Sequence, residues 1–172
     1  MCTNKGGGRG SSGGGGITAQ SVANQLTTPI KIIDRGGLPE LSGSANEVEK
    51  AKRIRNQTGK YLQNYVATNG GTASPEITSK YINGSAEEKA AFVMKRAEDM
   101  TFGNKKLLPD KIKSEIAAQK EQADRYSRFT EVITHQKSAK WWTGQGSTAV
   151  ATTAMENYID GKGWNTAILG KK

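Results

Sequence analysis

The side chains able to do chemistry in this chain are few and scattered. One histidine, His135, and one cysteine, Cys2, are present, so no two-histidine metal site and no Cys-x-x-Cys motif exist within one chain, and no Ser-His pair is testable from local sequence. Glu47 and Glu49 have the spacing of a paired-carboxylate site, and Glu87-Glu88 is a second acidic pair. Both pairs fall where a helix begins, and there an acid is accounted for by the helix dipole alone. His135 beside Gln136 near a helix end is read the same way. The inventory favours a protein that is not an enzyme, with no catalytic residue, no metal, no cofactor and no small-molecule substrate.

What remains is recognition. Lys137, Lys140, Trp141 and Trp142 follow Arg125 and Arg128, combining point charges with flat aromatic surface. Single-strand nucleic-acid binding is often built in this way, each stacked base contributing roughly 1–3 kcal/mol. Adjacent residues on a helix point about 100° apart, so the two indoles cannot share one narrow stripe. One Trp toward the core and one at an edge is the expected arrangement, with Trp142 taken as the binding one. A second set, Lys50, Lys52, Arg53, Arg55 and Lys60, occupies the polar side and margins of the first long helix.

The bulk charge agrees with this emphasis. Formal net charge is +9, which favours acidic partners, nucleic acid first. Residues 105–172 carry twelve basic and seven acidic side chains, against nine and seven in residues 45–104 and four and two in residues 1–44. The C-terminal third therefore holds most of the excess. Only 34% of residues are hydrophobic and 6% aromatic, so the core must be lean. No apolar run approaches the roughly 18 residues a membrane span needs, and no secretory leader is read. With a lone cysteine as well, a cytoplasmic setting is expected.

The elements that must position these residues are helices. Ser44 and Glu47 have capping-box spacing, and Val48, Ala51, Ile54, Thr58, Tyr61, Leu62 and Tyr65 then recur at three and four residues. Ser74-Pro75-Glu76 opens a short helix that Asn83-Gly84 stops, and Ser85 with Glu88 repeats the capping box before a helix to about Met100. Its apolar candidates are Ala90, Ala91, Phe92, Met94, Ala97 and Met100. Past Pro109 the longest helix runs over residues 110–136, with Ile112, Ile116, Gln119, Ala123, Tyr126, Thr130 and Ile133 alternating at four and three. Its polar positions make it a poor free coiled coil and a suitable member of an intramolecular bundle. The Trp pair closes this helical stretch before the loop Thr143–Ser147, and a last helix starts at Ser147 or Thr148 with Val150, Ala154 and Tyr158 inward and Ile159 a further candidate.

These features predict a mainly α fold, a small bundle of about four to five helices. Residues 1–16 form a flexible Gly-rich arm, 17–43 an extended strap or loop in which Ile30–Ile33 is either one short strand or part of a strap across the helices, 44–160 the helical domain and 161–172 a tail.

Two stretches carry a resemblance. Leu38-Pro-Glu-Leu-Ser-Gly-Ser44, leading into Ala51-x-x-Ile54-Arg55, and Ser138-Ala-Lys-Trp-Trp142 are similar to segments of small accessory proteins of bacteriophages and other mobile elements. The chain departs from that pattern after Trp142, where a Gly-rich loop replaces an Ile-Asp-Asn-Arg-like continuation. The resemblance implies a mobile-element setting in a bacterial host, and names no mechanism. Within it the expected partner is nucleic acid or a host nucleoprotein enzyme. The alternatives are an inhibitor of a host defence nuclease, of anti-CRISPR type, and a virion structural protein. The oligomeric state stays open.

Overall fold

The computed structural model of the chain describes residues 16–26, 38–68, 84–144 and 149–172. All of the expected arm but Gly16, the strand or strap at Ile30–Ile33, the short helix after Ser74 and the start of the last helix at Ser147 or Thr148 lie outside them.

Among the described residues every regular element is helical: α1 (Ala19–Ala23), α2 (Ala45–Ala67), α3 (Ala86–Asp99), α4 (Leu108–His135), α5 (Ala139–Gly144), α6 (Ala149–Ile159) and α7 (Thr166–Leu169), with a 3-10 turn at Lys105–Leu107. Both predicted capping boxes form. Glu47 accepts from the Ser44 amide at 3.1 Å, and Glu88 accepts from the Ser85 amide at 2.7 Å. The Ser44 hydrogen bonds also hold the Glu47 carboxyl below its usual range.

Helix α4, with Pro109 in its first turn, is the spine. At 28 residues it is about 42 Å long, enough to serve two cores. Ile112 and Ile116 at its start pack with Val22, Ala23 and Leu26 around α1 and with Ala90, Val93 and Ala97 of α3. Tyr126, Phe129, Val132 and Ile133 at its end pack with Ala51, Leu62 and Val66 of α2, with Trp142, with Met155 and Ile159 of α6, and with Leu169. Beside the first of these cores, the buried Glu115 carboxylate of α4 meets Arg96 of α3 at 3.1 Å.

Several sequence expectations are corrected. Val22 and Leu26 belong to a packed element, where an extended strap was expected, because a Thr18–Ser21 capping box starts α1. The residues after 160 join the main core through Leu169 and Trp164, so the domain does not stop before the tail. On α6, Ala154, Tyr158 and Ile159 are buried as expected, but Val150 is exposed and Ala151 and Met155 are buried beside them. On α2, Tyr61 lies half out and Val66 fully in, because α2 is covered by α4, α5 and α6 and not on one flank alone. On α3, Val93 takes the inward place given to Ala91, which is exposed.

The last correction concerns the Trp pair. Helix α4 ends at His135, Gln136 becomes extended, and α5 starts afresh at Ala139. What breaks the chain is a parallel bridge: the Ser42 amide donates to the Lys137 carbonyl at 2.8 Å and the Ala139 amide donates to the Ser42 carbonyl at 2.9 Å.

Candidate nucleic-acid interface

The bridge joins the two segments that sequence reading singled out. Leu38–Ser44 lies against Ser138–Trp142, and the fit depends on Gly43. Its φ is +154°, and a Cβ built on it would lie 2.9 Å from the Cβ of Ala139. Only a glycine lets the two backbones approach this closely.

Some of the exposed cations are placed around the Leu38–Ser44 strap, while others, Lys95, Lys105, Lys106, Lys113, Lys120 and Lys162, lie elsewhere. Lys60 lines a cleft between α2 and α4 that has Leu38 on its wall. Lys137 and Lys171 line a second, more open groove that has Pro39 on its wall. Lys140 lies near Glu47, at the N-terminal end of α2, and its positive charge favours the ionised carboxylate. On a helix with about 100° per residue, Lys52, Asn56, Gly59 and Gln63 fall within about 60° of one another, on the flank of α2 that lines the first cleft. Lys52, Lys60, Lys137, Lys140 and Lys171 are all exposed, and none enters an ion pair among the described residues.

The remaining basic candidates are placed differently. Lys50 is exposed but lies on the opposite flank of α2 from Lys52, and Arg53 on the crest pairs with Glu49 at 2.9 Å. Arg55 is 4% exposed and donates from Nη1 to the Pro39 carbonyl at 2.7 Å, so it points into the protein and not along a phosphate-facing stripe. Arg125 is 6% exposed and paired with Asp160, which also accepts from the Tyr65 hydroxyl at 2.7 Å. Arg128 donates to the Ile159 carbonyl at 2.7 Å and to Glu121 at 3.1 Å. These three guanidiniums hold α2, α4 and α6 and the strap together. An exposed cation and a structural one have the same letter pattern on a helix.

Trp142 is likewise removed from the surface. It is fully buried, its indole N–H donating to the Gln136 carbonyl at 2.8 Å, and Trp141 meets it edge-on with centroids 4.9 Å apart. Trp141 is the edge member of the pair, half-buried and tied to the Ile168 carbonyl at 2.9 Å. The assignment of a binding role to Trp142 is corrected: the indole is a fastening between α5 and the core.

Sequence reasoning passed over Lys171, Pro39, Asn56 and Gln63, which line the two grooves. The terminal lysines were visible in composition, but their position depends on the packed C-terminus. His135 contacts the Lys171 carbonyl and stacks edge-on with Trp164 at 4.8 Å. Lys172 pairs with Glu131 at 3.0 Å and lies over the Tyr158 ring at 4.9 Å. The last two residues are thereby drawn to the end of α4, beside Lys137.

Comparisons with protein-family models, with curated proteins and with solved structures return no match. No helix among the described residues is long and apolar enough to cross a membrane.

Proposed function

We propose that this protein binds nucleic acid without transforming it, as an accessory protein of a phage or mobile element acting in the cytoplasm of a bacterial host. The observation that carries the reading is the gathering of five of the exposed lysines that enter no ion pair among the described residues, Lys52, Lys60, Lys137, Lys140 and Lys171, about the Leu38–Ser44 strap. Point charges of this kind hold a phosphate backbone without reading bases, and they act by releasing condensed counterions. The resemblance to mobile-element proteins supports the setting, because its two segments are the ones that meet at the Ser42–Ser138 bridge.

Salt titration of binding to a single-stranded oligonucleotide tests this. Affinity should fall steeply with salt, and changing Lys52, Lys60, Lys137 and Lys140 together to Gln should flatten the log–log slope by about 3, at roughly 0.7 per lost phosphate contact. An unchanged slope in a variant that still folds would move the interface elsewhere, and no binding by the parent protein would end the proposal.

A second reading, inhibition of a host nuclease by protein contact, has one observation in its favour. Phe102 is 97% exposed at a turn with φ +47°, next to Lys105 and Lys106. Capture from a bacterial lysate with and without nuclease treatment separates the two readings. Recovery of a partner that survives nuclease treatment favours the inhibitor, and recovery lost on treatment favours nucleic acid.

A further inference from the structure

The cleft between α2 and α4 has a composition that a row of phosphate contacts does not require. Its volume is about 150 Å³, close to that of an engineered apolar cavity of about 150 Å³ that admits benzene. Phe129 and Ile133, both buried, form its floor. Arg55, 4% exposed, lines the same cleft, and its Nε is buried without a hydrogen-bond partner. A guanidinium N–H left unpaired at depth costs free energy that an acceptor brought within its reach would recover. Asn56, Gln63 and Lys60 are exposed and stand at the mouth. An apolar floor the size of one ring, a buried donor, two amides able to donate and accept, and an ammonium at the rim are together what recognises an unstacked base and its phosphate.

We infer that this cleft receives one unpaired nucleobase of the bound strand, its ring on Phe129 and Ile133, its acceptor edge toward Arg55, and the adjoining phosphate at Lys60. The inference rests on the proposed nucleic-acid binding and adds a base-reading pocket to it. Arg55 only donates, so a base presenting two adjacent acceptors suits it best, and guanine O6 and N7 are such a pair. Asn56 and Gln63 at the mouth read the rest of the edge.

The experiment is fluorescence anisotropy on the full chain with labelled short strands that contain or lack guanine, competed by GMP, AMP, CMP and UMP. The guanine-containing strand should bind most tightly, and GMP should compete best. Asn56→Ala with Gln63→Ala, both at exposed positions, should weaken the preferred strand by about ten-fold, the size of one lost base contact, with an unchanged salt slope. Lys60→Gln should instead reduce the salt slope by about 0.7 and leave the order of base preference as it was. Arg55→Lys keeps the charge and removes the forked donor, and should abolish the guanine preference; circular dichroism establishes that it folds. Equal binding of all strands by the parent protein, or a double variant within two-fold of it, would overturn the pocket while leaving phosphate binding intact. Absence of binding to any strand would overturn the proposed function itself.

Discussion

Gly43 and Gly59 have the same side chain and opposite roles. At Gly43 the backbone is in a region that side chains rarely adopt, and the Ala139 methyl blocks a Cβ at 2.9 Å. Gly43→Ala should destabilise the protein by about 1–3 kcal/mol, the usual cost of a strained backbone position. Gly59 lies inside α2, where a Cβ would meet Ile133 Cδ1 at 3.5 Å, an ordinary contact. Gly59→Ala should stabilise by about 0.5–1 kcal/mol, the difference in helix propensity. Chemical denaturation of both variants checks the pair, and a stabilised Gly43 variant would mean that the bridge is not closely packed. Tyrosines supply a second test at this scale. Hydrogen bonds to Glu156 and Asp160 raise the pKa of Tyr61 and Tyr65, burial together with Glu131 raises that of Tyr158, and burial raises that of Tyr126 to about 12. Each phenol holds its proton more firmly folded than unfolded. Their contribution is therefore complete below the unfolded value of 10.0 and is lost as pH rises from there through the folded values. Stability should decline from about pH 10 upward, with tyrosinate absorbance delayed in the folded protein. Absorbance that titrates normally before unfolding would contradict this.

At the scale of elements, the helix starts were readable from short-range chemistry, and the inward faces only in part. Ser44 with Glu47 and Ser85 with Glu88 form the capping boxes their spacing predicts, because a cap is settled within one turn. The seam of α4 was legible too, since Ile112, Ile116, Gln119, Tyr126 and Ile133 are buried. Burial of Arg55 and Arg125 could not be read, because it depends on the Pro39 carbonyl, sixteen residues away from Arg55, and on Asp160, thirty-five away from Arg125. The end of α4 was read to within one residue, at 136 against His135, but the bridge to Ser42 and the fresh start of a helix at Ala139 were not legible. Helix α5 is only six residues long and owes its place to Trp142, buried to 0% exposure. Trp142→Ala should cost about 3–5 kcal/mol and release α5. Trp141→Ala, at the half-exposed edge, should cost much less. Equal losses in denaturant midpoints would show that the two indoles share the work.

For the whole molecule, α4 carries two separate sets of packed side chains, and the proposed interface belongs to one of them. Leu38, Arg55, Lys60, Phe129, Ile133 and Lys137 all gather at the C-terminal half of α4, while Phe102 and Lys105 lie by its start. Nucleic acid and a protein partner would therefore leave different footprints. Amide chemical shifts recorded during titration with a single-stranded oligonucleotide measure that footprint directly. Perturbations concentrated at Leu38–Ser44, along Lys52–Gln63 and at Lys137–Lys140, with α3 and the Phe102 turn unmoved, are the predicted result. Shifts centred on Phe102–Lys106, or no shifts in the strap while the strand binds, would contradict it.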